Sequence, residues 1–247
     1  ATAVHAARLG ARTRAVRWRH EMNPVARLVS ARIATECERA PVLPIPLAIV
    51  TLAAWSVAAR RAGRRVRYVP FGGSTPLGIL GQVEAALELA AQVHDGALPA
   101  PRRLVVPLGS GGTAAGLALG LAMAGLPTEV VAARVGPRLA ATRGRVLRLA
   151  HRTRRLLHAL TGELPPPPAP VRVVHDVYGG AYGRSLPAGD RAALMLHEAC
   201  GARLDATYAA KACAAALTLV PAEGPTLFWV TFDGRWMEED QGAGCGV

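Results

Sequence analysis

Short apolar runs alternate along this chain with segments whose apolar residues recur at helical spacing. Leu104–Val106 is a continuous apolar run of the kind found in buried strands. Ile79–Val93 instead repeats apolar residues every three or four positions, as an amphipathic helix does. Strands that alternate with helices predict a mostly parallel sheet with helices on both faces. The pattern therefore places the chain in the α/β class.

The same criteria assign the remaining elements. Further strands are predicted at residues 12–18, 45–50, 67–70, 129–135, 171–174 and 226–230. Further helices are predicted at residues 1–9, 23–38, 53–63, 137–160, 188–200 and 206–219, with Asn23 as an N-cap. Two glycine-rich turns, Gly72–Gly78 and Gly109–Thr113, each follow a predicted strand and precede a helix. Because parallel sheets bind ligands beyond the carboxyl ends of their strands, these turns mark the expected site.

The turn Gly109–Thr113 has the chemistry of an anion site. Its glycines let a ligand approach the backbone, and the helix after it offers unpaired N–H groups and a favourable dipole. Ser110 and Thr113 add two hydroxyl donors. We therefore predict that this loop binds a phosphate group.

Nucleotide cofactors are the first ligands to test against this loop. A P-loop requires a lysine after the glycines, but Thr113 follows Gly112 directly. A dinucleotide fingerprint requires a third glycine, where this chain has Ala114, and an acid at the end of the next strand. That strand ends instead at Arg134, which could bind a 2′-phosphate. NADP binding and a tight turn without any ligand therefore both remain open at this point.

Composition limits the other function classes. The 247 residues are 51% hydrophobic and 19% charged, as in a globular protein, and the net charge of +12 comes almost entirely from arginine. Aromatic residues make up only 4% of the chain, so stacking surfaces for single-stranded nucleic acid are scarce. We expect no specific nucleic-acid partner, and we interpret the arginines of the helix predicted at 137–160 as a solvated face.

Two long uncharged stretches, residues 41–59 and 104–128, approach the length of about 20 residues that a membrane-spanning helix needs. Prolines interrupt the first, and the Gly-Ser-Gly-Gly turn interrupts the second. The glycines at 112, 116 and 120 also suit close packing of a helix in the protein interior. We therefore expect no membrane association.

Cysteine and histidine spacing gives no sign of a metal site. The cysteines lack zinc-ligand spacing, which favours free thiols in a reducing compartment and hence a cytoplasmic protein. These cysteines are Cys37, Cys200, Cys213 and Cys245. The seven histidines likewise show no pair at metal-ligand spacing, so no metal is expected.

Several motifs together resemble the family of 1-aminocyclopropane-1-carboxylate deaminase and D-cysteine desulfhydrase. They are Val69–Gly78, Gly109–Leu117, Tyr182-Gly183 and Leu204–Ala212, in family order over nearly the whole chain. The resemblance implies a pyridoxal 5′-phosphate enzyme of the tryptophan-synthase β-subunit fold, with two three-layer αβα domains and mostly parallel sheets. It assigns residues 1–62 to a remnant of the smaller domain and residues 63–247 to the larger, phosphate-binding domain.

The resemblance also implies roles for individual residues. The phosphate of the cofactor is bound by Gly109, Ser110, Gly111, Gly112 and Thr113, in agreement with the anion site expected from the residues alone.

Three further residues are implied around the substrate. Tyr208, in the Leu-Asp-x-x-Tyr motif, handles protons, and Tyr182 lines the pocket. Thr231 lies beside the pyridine nitrogen, where a neutral hydroxyl would leave that nitrogen largely unprotonated. Asp205 could stand at the pocket edge or equally at a solvated helix end.

Two positions bear on the substrate, which the resemblance identifies as a small amino acid. The deaminases have Glu after the motif tyrosine and Leu near the C-terminus, whereas this chain has Ala209 and Thr231. The desulfhydrases have Thr or Ser at the first of these positions and Thr at the second. The resemblance therefore favours α,β-elimination of the D-cysteine desulfhydrase type over cyclopropane ring opening, although Ala209 matches neither pattern. Gln82 and the segment Phe232-Asp233-Gly234 are further departures from the family.

The family's Schiff-base lysine and Ser-Asn-His loop precede the helix that ends here at Gly10. We therefore expect the sequence to be N-terminally truncated relative to the family and inactive by itself. Lys211, the only lysine, matches a family lysine that does not carry the cofactor, and we interpret it as structural. The family's habit implies a homodimer. A non-catalytic remnant that binds a phosphate ligand or a partner is the alternative.

Overall fold

A computed structural model describes residues 2–219 and 224–232 of the chain. The chain divides between Val69 and Pro70 into two compact units.

The first unit contains three helices. They are α1 (Thr2–Arg8), α2 (Pro24–Glu36) and α3 (Ile45–Arg61). Asn23 caps α2 as predicted, because its side-chain oxygen accepts a hydrogen bond from the Ala26 N–H at 2.8 Å. Parallel pairing in this unit is limited, within the described residues, to two isolated bridges, Arg14 with Arg39 and Arg17 with Val42. The strand predicted at 12–18 is thus reduced to these bridges.

The strand predicted at 45–50 is wrong, because these residues form the first turns of α3. Pro46 lies in the first turn, where its fixed φ angle suits a helix and its missing N–H costs no hydrogen bond. The short apolar run that suggested a strand is part of one continuous helix. The strand predicted at 67–70 is also absent from the structure, which has no regular element there.

The second unit is built on a four-stranded parallel sheet in the order β3-β2-β1-β4. The strands are β1 (Arg103–Leu108), β2 (Glu129–Arg134), β3 (Val171–Val174) and β4 (Thr226–Phe228). Val105 of β1 aligns with Val131 of β2 on one side and Phe228 of β4 on the other. All carboxyl ends therefore lie at the same edge of the sheet.

Helices cover both faces of this sheet. They are α4 (Leu80–His94), α5 (Gly112–Met123), α6 (Arg143–Thr161), α7 (Pro187–Cys200) and α8 (Ala209–Leu217). Leu104 and Val106 of β1 pack in a core with α4, α5 and α6, whereas Val105 faces a second core with α7 and α8. This alternation produces the three-layer α/β architecture predicted from the sequence.

Helices α4 and α5 approach each other closely through glycine. A Cβ atom added to Gly120 would collide with the carbonyl of Val83 and would lie 2.7 Å from the Cβ of Ala86. The glycine spacing in α5 therefore serves helix packing. Across the described residues, no helix combines the length and the apolar character needed to cross a bilayer.

Candidate functional site

The predicted phosphate loop lies between β1 and α5, at the carboxyl edge of the sheet. Gly111 occupies the N-cap position of α5 with φ of 92°, a left-handed conformation that favours glycine. The first helical hydrogen bond into this turn runs from the Ala115 N–H to the Gly111 carbonyl at 3.0 Å. The N–H groups of residues 112–114 precede that bond, so the helix itself does not use them.

The second glycine turn packs directly against this loop. Its first two residues belong to a short 3-10 helix, Phe71–Gly73. The Ser74 hydroxyl donates to the Ser110 hydroxyl at 2.8 Å. A Cβ atom on Gly72 would collide with the Ser110 hydroxyl, and one on Gly112 would lie 2.7 Å from the Ser74 Oγ. The two turns therefore fit together only because these positions lack side chains.

Tyr208 borders the first residue of the phosphate loop. A Cβ atom on Gly109 would lie 3.1 Å from the Tyr208 Cε1 and 3.8 Å from its hydroxyl oxygen. The Tyr208 hydroxyl shares a hydrogen bond with the Tyr182 hydroxyl. Burial raises the pKa of both tyrosines above the ordinary value, and the proximity of Tyr182 raises that of Tyr208 further. Both side chains are therefore neutral phenols at neutral pH.

Asp205 holds Tyr208 in place from the turn before α8. One carboxylate oxygen accepts hydrogen bonds from the N–H groups of Thr207 at 3.0 Å and Tyr208 at 2.8 Å, and the other accepts from Ala209 at 3.0 Å. Burial raises the pKa of Asp205, while these backbone bonds act in the opposite direction. Of the two interpretations of Asp205, the solvated helix end is wrong, because the side chain is buried.

Thr231 follows β4 at the same edge of the sheet and is exposed. Beyond the strand, the Trp229 N–H still donates to the Val105 carbonyl at 2.9 Å. Of the segment Phe232-Asp233-Gly234 that follows Thr231, the structure describes only Phe232, and Asp233 and Gly234 lie outside the described residues.

Lys211 is fully buried one turn after Tyr208 on α8. Its Nζ donates to the Tyr178 carbonyl at 2.8 Å. The Arg134 guanidinium stacks on the ring of the same tyrosine, with its carbon 4.1 Å from the ring centre, and also donates to the Gly136 carbonyl at 3.1 Å. Both side chains therefore support the turn that leads to Tyr182.

The sequence did not indicate a role for Arg145. Its Nε donates to the Ser110 carbonyl at 3.2 Å, so one arginine of α6 contacts the phosphate loop instead of belonging only to a solvated face. Val146, the next residue, packs against Gly111 from the same helix. Nothing in the local sequence distinguishes Arg145 from the other arginines of α6, because the contact depends on how α6 packs beside α5.

The donors gathered here suit a phosphate group. Backbone N–H groups at the start of α5 combine with two hydroxyls, from Ser110 and Thr113, and the loop can be approached because its remaining residues are glycines. Among the described residues, no hydrogen bond engages the Thr113 hydroxyl. In the same part of the chain, no group of three metal-ligating side chains comes together.

Comparison with known proteins gives a family match over most of the chain. Residues 1–231 match the family model described as pyridoxal-phosphate dependent enzyme. Nocardicin C-9′ epimerase from Nocardia uniformis subsp. tsuyamanensis is 40% identical over 185 residues, covering 71% of this chain and 53% of that protein. D-cysteine desulfhydrase from Salmonella paratyphi A is 32% identical over 200 residues, covering 78% of this chain and 58% of that protein. The chain spans a little over half the length of these relatives.

Solved structures agree on the fold. A structure titled as an ACC deaminase homologue aligns with a TM-score of 0.74 at 22% identity, covering 97% of this chain and 72% of that one. Threonine deaminase from T.th. aligns with a TM-score of 0.57 at 20% identity, covering 95% of this chain and 73% of that one. These similarities place the chain in the fold of tryptophan-synthase β-like enzymes.

Proposed function

The chain belongs to the pyridoxal-phosphate dependent enzymes, and on this premise we propose that its second unit binds the cofactor phosphate at Gly109–Thr113 and acts on a small amino acid. The observation that carries this proposal is the Tyr182–Tyr208 hydroxyl pair beside Gly109. When bound, pyridoxal phosphate withdraws electrons from the substrate α-carbon and so makes its proton removable.

We assign the two tyrosines to proton handling. Their raised pKa keeps both hydroxyls protonated at neutral pH, so the Tyr208 Oη can donate a proton to the substrate, at the departing β-substituent in elimination or at the α-carbon in epimerisation. The Tyr182 Oη can then return a proton to the Tyr208 Oη through their hydrogen bond. The backbone bonds of Asp205 hold the main chain of Tyr208 while this happens. Thr231 is assigned to the cofactor ring, because its place after β4 puts a neutral hydroxyl at the same edge of the sheet.

We propose α,β-elimination from a D-amino acid, as in D-cysteine desulfhydrase, in preference to cyclopropane ring opening. The residues that follow Tyr208 and β4 support this, since neither Ala209 nor Thr231 matches the deaminase pattern. The relative at 32% identity carries the name of that activity.

Epimerisation at the α-carbon is the second candidate, because the relative at 40% identity is named as an epimerase. Epimerisation and elimination both begin with removal of the α-proton and differ in the next step. Epimerisation returns a proton to the opposite face, whereas elimination expels the β-substituent. As proton donors, the two tyrosines would serve the second step of either reaction, after the α-proton has been removed.

The chain by itself is proposed to bind the cofactor without a covalent link and to lack activity. Its single lysine, Lys211, is buried and donates to the Tyr178 carbonyl, so that amine already has a structural role. A cytoplasmic homodimer completes the proposal. A non-catalytic protein of this fold that binds a phosphate ligand remains the alternative.

A titration and two assays test the proposal. The purified chain should bind pyridoxal phosphate more tightly than pyridoxal, and inorganic phosphate should compete. A chimera joining the N-terminal part of the Salmonella D-cysteine desulfhydrase to this chain should release sulfide from D-cysteine. If the chimera instead exchanges the α-proton for deuterium without releasing sulfide, epimerisation is the better assignment. No difference between pyridoxal phosphate and pyridoxal would contradict the phosphate loop itself.

A further inference from the structure

We propose that Arg145 is a positioning residue that fixes the Ser110–Gly111 peptide in the orientation needed to bind the phosphate. This inference rests on the proposed role of Gly109–Thr113. The Arg145 Nε donates to the Ser110 carbonyl at 3.2 Å. A hydrogen bond from a charged donor is stronger than one between neutral groups, so the carbonyl is held on the Arg145 side.

The geometry of the peptide transmits this constraint to the ligand side of the loop. In a trans peptide the carbonyl and the following N–H point in opposite directions. With the Ser110 carbonyl directed at Arg145, the Gly111 N–H points away from it. Gly111 has φ of 92°, and glycine reaches many other conformations at little cost, so the loop needs an external contact to stay in this one.

The start of α6 is itself fixed. The Thr142 hydroxyl caps the helix by accepting a hydrogen bond from the Arg145 N–H at 3.2 Å. Val146 is fully buried, and its Cγ2 lies 3.2 Å from the place where a Gly111 Cβ would be. Two neighbouring residues of α6 therefore hold the loop, Val146 through packing and Arg145 through a charged donor.

Within the part of the chain that the structure describes, Arg145 forms no ion pair with an acidic side chain, and it is exposed. A phosphate dianion bound at the loop would thus meet a nearby positive charge as well as the oriented N–H groups. Positioning and charge are separable, because glutamine carries its amide nitrogen on Cδ, where arginine carries Nε. Arg145→Gln therefore keeps a donor at the same place and removes the charge.

The test measures the dissociation constants of pyridoxal phosphate and pyridoxal for the whole chain and its variants by calorimetry. Arg145→Ala should weaken pyridoxal phosphate binding about tenfold, as expected for one lost charged hydrogen bond, and leave pyridoxal binding unchanged. Arg145→Gln should recover most of that loss. Arg143→Ala is the matched control, since Arg143 lies on the same helix but its Nε donates to the Val171 carbonyl at 2.9 Å and not to the loop.

Three results would overturn the inference. Equal affinities for Arg145→Ala and Arg143→Ala would remove any specific role of Arg145. An Arg145→Gln variant as weak as Arg145→Ala would mean that charge acts without positioning. A wild-type chain that binds pyridoxal phosphate no better than pyridoxal would overturn the proposed phosphate loop and this inference together. If Arg145→Ala does not fold, the comparison is made between Arg145→Gln and wild type alone. A similar preference for pyridoxal phosphate over pyridoxal in the two proteins supports positioning, and a preference lost in Arg145→Gln means that charge acts without positioning.

Discussion

The hydroxyl groups of Tyr182 and Tyr208 share a hydrogen bond, and their rings meet edge to face with centroids 5.9 Å apart. The two residues come from different segments, and α8 organises both. Asp205 fixes the backbone of Tyr208, while Lys211 holds the Tyr178 carbonyl at the start of the turn that carries Tyr182. The pair is therefore a product of tertiary packing around one short helix.

Removing either hydroxyl should destabilise the fold, because the remaining one is partly buried and loses this hydrogen bond. Tyr182→Phe and Tyr208→Phe should each lower the free energy of unfolding by about 1 kcal/mol. The double variant should cost less than the sum, with a coupling of about 0.5–1 kcal/mol. Urea unfolding of the four proteins measures this cycle. Strict additivity would mean that the two hydroxyls do not interact.

The same pair should make stability fall at high pH. Burial raises the pKa of both tyrosines in the folded chain, whereas an unfolded tyrosine ionises near pH 10. The folded state therefore binds more protons above that pH. The stabilisation that comes from these two raised pKa values is complete below about pH 10 and is lost as the pH rises further toward the pKa of the folded state. Denaturant midpoints between pH 9 and 11, an approximate range around that value, should fall less in the Tyr182→Phe/Tyr208→Phe double variant.

Asp205→Asn should destabilise the chain by about 1–2 kcal/mol. An amide side chain has one acceptor oxygen, so at least one of the three backbone N–H groups would lose its partner. Asp95→Asn provides the control, since Asp95 is exposed at the end of α4. Thermal unfolding compares the two. An Asp205→Asn midpoint equal to that of Asp95→Asn would show that the carboxylate bonds do not hold the turn.

Replacing a glycine by alanine should change the stability of the chain in opposite directions at two positions in neighbouring helices. Gly120→Ala should be strongly destabilising, because its Cβ would collide with the Val83 backbone carbonyl and force α4 and α5 apart. Gly81→Ala meets open space within α4 and should stabilise the chain by about 0.5–1 kcal/mol through helix propensity. Denaturant titration of both variants gives the signs. A tolerated Gly120→Ala would contradict the close approach of the helices.

The sequence predicted those elements whose signal is local. Asn23 marks the start of α2, and the apolar repeat of Ile79–Val93 marks α4. Both signals are local, because capping and periodicity depend on neighbouring residues. The strand predicted at 45–50 is wrong because a short apolar run does not distinguish a strand from a buried helix segment.

The residues of the candidate site also fall into those that local sequence predicts and those that depend on tertiary packing. The glycines of the predicted phosphate loop are visible in the sequence, since their conformational role is local. The contacts of Arg145 and Lys211 could not be predicted, because each joins segments that meet only when the helices pack.

Lys211 should not carry the cofactor. Its Nζ is buried and bonded to the Tyr178 carbonyl, and leaving that site would expose a buried carbonyl without its donor. Lys211→Met should therefore lower the free energy of unfolding by about 1–3 kcal/mol. It should change the dissociation constant of pyridoxal phosphate by less than about threefold, which corresponds to less than one kcal/mol.

Borohydride reduction of the chain mixed with pyridoxal phosphate, followed by peptide mass spectrometry, tests the same point directly. Wild type should show no stoichiometric adduct at Lys211. Leu217→Lys places an amine at an exposed position of the same helix and should be labelled, which shows that the reaction detects an accessible lysine. A stable adduct at Lys211 that Lys211→Met abolishes would assign this residue to the cofactor, because only an amine that had left the Tyr178 carbonyl could react.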